Sequence, residues 1–297
     1  MEILADEGSR FIPLVSDYGF KATFGNEHNT LFLRRALQAL IKSAVPIREV
    51  TFLPNEQARL SADSRGGIYD LACVDERGSY FIVEMQLAEY PEFVQRMKFY
   101  ALHRFNTLAR KGNDYAFQDM PRIYCIAILA TNIFAHVAAY HNVATFRNET
   151  GEPIDDQLTL VTVELAKFDK SAATSTSDLD KLLFTMKTLH TTAPDPTQWP
   201  EFWTEEWIQL AIHEVDKLAL PPEELLNYYM TLSKNALIVR NERLKIAAAT
   251  DAATLASKTA AVKKALLRGK LTETEIADDN DVSEAFVAEI AQQLFRG

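Results

Sequence analysis

IYDLACVDERGSYFIVEMQ, residues Ile68–Gln86, decides how this chain folds. Runs rich in Ile, Tyr, Val, Phe and Cys flank Asp75-Glu76-Arg77-Gly78. Those four residues are turn chemistry, so the stretch reads as two strands joined by a tight turn. A three-residue turn with Gly78 in the left-handed position of a bulge sets Asp75 against Ser79. Carried back along the hairpin, that pairing puts Asp70 opposite Glu84. Side chains alternate along a strand, so Gln86 shares the face of Glu84. Asp70, Glu84 and Gln86 therefore converge on one patch of an otherwise apolar hairpin. Carboxylates about 4.5–5.5 Å apart at Cβ repel one another. A cation between them relieves that repulsion, and hard oxygen ligands favour magnesium or manganese.

Outward from the hairpin, periodicity and breakers give the other elements. Leu33, Ala36, Leu37, Leu40 and Ile41 recur at helical spacing between Asn29 and Lys42, with Asn29 as N-cap and Pro46 beyond the end. Arg48 to Leu53 is a short strand stopped by Pro54, and 55–67 is polar loop. Residues 92–110 form a helix whose apolar stripe is Phe93, Met97, Tyr100, Ala101, Phe105 and Leu108, with a stop at Lys111-Gly112. Residues 121–130 are a nearly unbroken apolar run, as in a central strand covered on both faces, and 157–165 is a further β-rich run. The resulting order is helix, strand, strand, strand, helix, strand.

After Ser171 the character changes. SAATSTSD is a small-residue linker, and a helix restarts at Asp178 and runs to His190. Residues 201–217 and 222–230 are helical, with Trp203, Trp207, Leu210 and Ile212 forming an aromatic-rich core, and 234–261 is an Ala-rich helix. From Ala261 onward the pattern is helix, break at Arg268-Gly269-Lys270, and two capped helices, Thr272 with Glu275 making a capping box and Ser283 capping the last. Leu266, Leu267, Leu271, Ile276, Val282, Phe286, Val287 and Ile290 could fill a small trihelical core. Residues 240–270 hold eight basic side chains against two acidic, whereas 271–297 hold seven acidic against one basic. Acidic helices are poor chemistry for a major groove, so the tail reads as an interaction or dimerisation module.

Four pieces of the chain resemble a known family: DYGFKATFG at Asp17–Gly25, IYDLAC at Ile68–Cys73, FIVEMQ at Phe81–Gln86 and RMKFY at Arg96–Tyr100. Together they span about a third of the chain and stand in the family's order. Asp, a dozen or so residues, then Glu-x-Gln is similar to the PD-(D/E)XK nuclease signature in its Glu-x-Gln variant. The wider context resembles the recombination-promoting nuclease and transposase branch. The resemblance implies an α/β fold: a restriction-endonuclease-like core (α-β-β-β-α-β, a mixed sheet flanked by helices) with an all-α C-terminal extension. The expected division is a nuclease-like core over 1–170, a helical extension over 171–260 and the trihelical tail over 261–297.

The resemblance also implies roles. Asp70 and Glu84 hold Mg2+ or Mn2+, with the Met85 carbonyl as a further ligand, and the ion activates water for phosphodiester hydrolysis in DNA. Gln86 stands where the family more often has Lys; it can hydrogen-bond the water but brings no charge. Lys21 is the favoured source of that charge, with Arg96 and Lys98 behind it. Arg96 and Tyr100, one turn apart, could meet a phosphate, orient Glu84, or simply form a salt bridge. Glu27 is either an additional carboxylate of the site or an acid favourable to a helix N-terminus.

Composition bounds the rest. The 297 residues are 47% hydrophobic, enough for a substantial core. Cys73 and Cys125 sit in apolar strands and read as buried thiols of a reducing compartment. MEILADEGSR carries no basic-then-apolar leader, and no apolar run reaches the roughly 20 residues of a membrane span, so the expectation is a cytoplasmic protein. The six His show no zinc spacing, and no phosphate-binding glycine loop or serine elbow is present. A net charge of −10 opposes broad binding to phosphate backbones. That balance, with Gln86 in place of Lys, supports a second expectation: a catalytically weak nuclease fold acting as a binding or regulatory partner, as a homodimer or with another protein, through its C-terminal helices.

Overall fold

The computed structural model describes residues 9–57, 67–87, 92–108, 116–192 and 195–295. The predicted helix stop at Lys111-Gly112 lies outside them. In chain order the elements are helices α1 (Asp17–Phe24) and α2 (Leu31–Leu40) and strands β1 (Val50–Leu53), β2 (Glu56–Gln57), β3 (Gly67–Ile68), β4 (Leu71–Asp75) and β5 (Tyr80–Gln86). Then come α3 (Phe93–Leu108), β6 (Ile123–Leu129), β7 (His141–Arg147) and β8 (Pro153–Glu164). Helices α4 (Asp178–Thr188), α5 (Glu206–Glu214), α6 (Pro222–Arg268), α7 (Glu273–Asp279) and α8 (Glu284–Phe295) follow.

The hairpin forms as its turn residues dictate. Gly78 has φ +81°, a left-handed conformation that favours glycine. Ser79 O accepts from Asp75 N at 3.0 Å, and Asp75 Oδ1 accepts from the main-chain N–H groups of Arg77 (3.0 Å) and Ser79 (2.8 Å). The register that follows, Val74 with Tyr80 through Leu71 with Val83, is the one read from the sequence.

Six strands make one mixed sheet in the order β1-β4-β5-β6-β8-β7, antiparallel over β1-β4-β5, parallel over β5-β6-β8, and antiparallel again at β8-β7. The parallel β5–β6 pair requires a crossover, and α3 supplies it. One face of the sheet offers Ala72, Ile82, Cys125, Ala127 and Leu129 to Phe93, Met97, Tyr100 and Ala101 of α3. On the other face Phe81, Val83, Ile126, Ile128, Val161 and Val163 are buried too, so β6 is covered on both sides as its composition predicts.

Strand β7 was not predicted. It is an edge strand in which His141, Asn142, Thr145 and Arg147 alternate poorly with apolar residues, so it carries little periodic signal. The predicted Ser-Thr linker contains Ser177, which caps α4 in a capping box with Asp180. Helix α4 packs on α2, and α5 packs on α1 and α2. Trp203, fully buried, donates from Nε1 to Thr185 Oγ1 at 2.8 Å. Main-chain bonds from Ile12 N to Val215 O (2.8 Å) and Lys217 N to Arg10 O (3.1 Å) tie the start of the chain to the segment after α5.

The chain divides into two compact units, 1–225 and 226–297. Where the sequence pattern suggests three helices, over 222–230, 234–261 and from 261 to the break at Arg268, a single 47-residue helix, α6, runs through. In the second unit Val262, Ile276, Ala277, Val287 and Ile290 form a small core with Leu266, Val282 and Phe286 at its margin. Leu267 and Leu271, expected in that core, are 69% and 43% exposed. Both predicted caps form: Thr272 with Glu275, and Ser283 Oγ accepting from Phe286 N at 3.2 Å.

Candidate active site

The turn at Gly78 sets the register, and the register sets the site. The hairpin pairing ends at Leu71 with Val83, and Asp70 sits in the bend just before β4, near enough for its charge to act on Glu84. Asp70 Oδ2 accepts a 2.7 Å bond from Met85 N, which fixes its carboxylate against β5. Glu84, only 6% exposed, projects from the same face as Ile82, the face that α3 covers. From the first turn of α3, Arg96 Nη2 donates to Glu84 Oε1 at 2.5 Å and to Gln86 Oε1 at 3.0 Å. Its guanidinium also lies 5.5 Å from the Phe93 ring centre. One turn further on, the Tyr100 ring meets Tyr69 edge-on at 5.6 Å.

Each carboxylate thus has one oxygen held by a protein donor. Glu84 Oε2 is buried with no hydrogen-bond partner among the described residues. A buried, unsatisfied carboxylate oxygen is costly, and such an atom in a native site calls for a ligand. The electrostatics agree. Burial, and then the charge of Asp70, push Glu84 up to about 7, against the pull of Arg96 and of the Asp70 main-chain N–H. Asp70 is raised by burial first; the Met85 N–H opposes this, Asp17 adds to it, and Lys21 and Arg96 draw it back. Burial raises Tyr100 as well, with Glu84 the next cause. Two unit charges about 4 Å apart interact by about 4 kcal/mol at an effective dielectric of about 20, so this cluster is strongly coupled.

The structure brings Asp70, Glu84, Gln86, Met85 and Arg96 together through direct bonds, and Tyr100 through the field of Glu84. It places the other candidates differently. Lys21 pairs with Asp17 at 2.9 Å and is 59% exposed; it acts on Asp70 through its charge alone among the contacts described. The cation bonded to Gln86 is Arg96, whereas the sequence favoured Lys21. Lys98 is exposed on α3. Glu27 is exposed in the turn between α1 and α2, and no contact among the described residues ties it to the carboxylates. The Met85 main chain enters the site through its N–H.

Asp17 is the residue that sequence reasoning left without a role. It opens α1, and its charge reaches Asp70. Its signal was the spacing Asp17-x-x-x-Lys21, an i,i+4 pair on one helix face. Helix α1 is fixed by Ser16 Oγ accepting from Gly19 N at 3.0 Å. It is fixed also by a close approach at Gly19, where a Cβ would sit 2.1 Å from the Pro13 carbonyl oxygen.

Chemically the donor set is oxygen only: two carboxylates, an amide and main-chain groups. No cluster of three or more His, Cys, Asp or Glu suited to a metal occurs among the described residues, so any ion here would complete its shell from main chain, water or substrate. Oxygen donors of this kind suit a hard divalent cation. The two cysteines are buried thiols, with Cys73 pushed up to about 12 by burial.

No curated protein and no solved structure matches this chain. A family model described as PD-(D/E)XK nuclease family transposase matches residues 14–237, which include the hairpin, α3 and every residue of the carboxylate cluster. That span is most of the chain, and the mixed sheet with flanking helices is the fold expected of such nucleases. The chain belongs to the PD-(D/E)XK nuclease family of transposases.

Proposed function

We propose that the protein is a magnesium- or manganese-dependent DNA endonuclease, promoting recombination or mobile-element transfer. The observation that carries the reading is the buried Glu84 Oε2, without a hydrogen-bond partner among the described residues, beside a second carboxylate whose own position is fixed by the Met85 N–H. Asp70 and Glu84 would hold the ion, with the Met85 carbonyl as a further donor. Such an ion lowers the pKa of bound water and offsets charge on the scissile phosphate. Gln86 orients the attacking water through its amide. Arg96, bonded to Gln86, contributes the charge that glutamine lacks, with Lys21 as a more distant cation. Tyr100 stands by as a hydrogen-bond donor to substrate.

The test is nicking of supercoiled DNA with and without Mg2+. Asp70→Ala and Glu84→Ala should each lower metal-dependent cleavage by at least about 100-fold while leaving the circular dichroism spectrum unchanged. Wild-type cleavage by either variant would remove the mechanism.

A second reading draws on α6. Leu237, Leu244 and Leu255 are 58%, 60% and 55% exposed along that helix. Such a row supports a homodimer or a protein partner bound through the C-terminal helices, with the nuclease chemistry weak. Light scattering on the full chain checks it: a monomer whose mass is unchanged by Leu244→Asp removes the homodimer. No described helix is long and apolar enough to cross a membrane.

A further inference from the structure

We infer that Arg96 is the resident counter-ion of the carboxylate pair and exchanges with the divalent cation. In this exchange its guanidinium neutralises Glu84 while the site carries no ion and leaves Glu84 as the ion arrives. It stays on Gln86, so that its positive charge faces the phosphate only in the loaded enzyme. The inference rests on the nuclease reading above and adds an order of events to it.

Three observations carry it. First, the same nitrogen, Nη2, bonds both Glu84 Oε1 (2.5 Å) and Gln86 Oε1 (3.0 Å), so giving up the first leaves the second as an anchor. Second, the partners differ in freedom. The Glu84 side chain is 7% exposed and fixed in a strand, whereas that of Arg96 is 28% exposed on a helix, so the arginine is the partner with room to move. The Phe93 ring, 5.5 Å from the guanidinium centre, offers a cation a second favourable surface during that movement. Third, charge accounting decides the direction. Asp70 and Glu84 carry two negative charges, which Arg96 half neutralises. A divalent cation neutralises them fully and leaves the guanidinium in excess, repelled at short range by a doubly charged ion.

The competing role for Arg96 is orientation, in which it merely holds Glu84 ready for the ion. Outer-shell partners of that kind typically assist metal affinity by about 10- to 100-fold. Repulsion between a unit and a double charge sharing one buried carboxylate exceeds that assistance, because it is larger than the already strong coupling of two unit charges. Removing the charge at position 96 should therefore tighten ion binding while weakening catalysis. Simple orientation predicts loss of both.

The experiment is calorimetric titration of the full chain with Mn2+ at pH 8.5, above the range in which Glu84 titrates, on wild type, Arg96→Met, Arg96→Gln, Arg96→Lys and Glu84→Ala. Arg96→Met and Arg96→Gln are expected to bind Mn2+ at least about 10-fold tighter than wild type. Arg96→Lys keeps the charge and should stay within about 3-fold of wild type. DNA nicking by both neutral variants should fall at saturating Mn2+. Two neutral side chains of different polarity guard against one of them failing to fold. Equal or weaker Mn2+ binding by a folded neutral variant overturns the exchange. If wild type binds Mn2+, Glu84→Ala abolishes that binding and the neutral variants are no tighter, the exchange fails and the nuclease reading survives. If none of the proteins binds Mn2+ through Glu84, both fall.

Discussion

Two glutamates project from the same face of the sheet, and they are built to opposite ends. Glu84 lies on β5; Glu164 ends β8, in the row that joins Gln86, Leu129 and Glu164 across the parallel strands. Both are buried, at 6% and 0% exposed. Every oxygen of Glu164 is used. Oε1 accepts from the main-chain N–H groups of Ile133 (2.5 Å) and Phe134 (3.0 Å), and Oε2 accepts from Lys167 Nζ at 2.6 Å. Lys167 in turn donates to the carbonyls of Phe134 (2.8 Å) and Val137 (2.7 Å), so the pair pins the loop after β6. Glu84 has one oxygen on Arg96 and one with no partner among the described residues. A saturated buried carboxylate is a structural clamp, whereas one left half-satisfied beside another acid is what the proposed ion site requires.

The largest effect that could break this contrast is on stability at the clamp. Glu164→Ala strands the Lys167 ammonium and two main-chain N–H groups, and should cost about 3–5 kcal/mol, read as a fall in the denaturant midpoint. A loss under about 1 kcal/mol would mean that Glu164 is as dispensable to the fold as an exposed acid.

Glu84→Gln should move stability the other way. With Glu84 near 7 in the folded protein and at 4.5 as an ordinary glutamate, the fold prefers the protonated acid. The penalty for ionising it is absent below pH 4.5, grows between 4.5 and 7, and is complete above 7. The glutamine variant should match wild type at pH 4.5 and exceed it by up to about 3 kcal/mol at pH 8 in EDTA. Parallel stability curves for the two proteins would show that Glu84 is already satisfied.

The smallest stability change belongs to Gln86→Leu. It removes one acceptor of Arg96 in a partly exposed position, so stability should shift by less than about 1 kcal/mol. Nicking should nonetheless drop by about 10- to 100-fold if the amide orients water. Unchanged nicking would confine the chemistry to the two acids.

Much of the core could be read in advance because local chemistry settles it. Gly78 favours the turn, the turn sets the register from Val74–Tyr80 to Leu71–Val83, and the next residue back, Asp70, reaches β5 at Met85 N. The caps at Thr272 and Ser283 are local for the same reason. What could not be read depends on how elements dock. Choosing Arg96 over Lys21 as the partner of Gln86 requires the angle at which α3 lies on the sheet, which no spacing within 93–108 reveals. The charge of Asp17 reaches Asp70 across elements far apart in sequence, which the spacing within α1 does not reveal. The continuity of α6 escaped because its composition changes along its length, Leu- and Tyr-rich at the start and Ala-rich further on, and β7 because an edge strand need not alternate cleanly.

The two cysteines turn this architecture into its own reporter. Cys73 on β4 and Cys125 on β6 flank the strand that carries Glu84, and both are wholly enclosed. With both thiols held protonated by their burial, alkylating reagents can reach them only when the face that each one lines is uncovered, for Cys125 the face under α3. The rate at which each sulfur is modified therefore times the uncovering of one face of the sheet, Cys125 on the α3 side and Cys73 on the other, without any label being introduced.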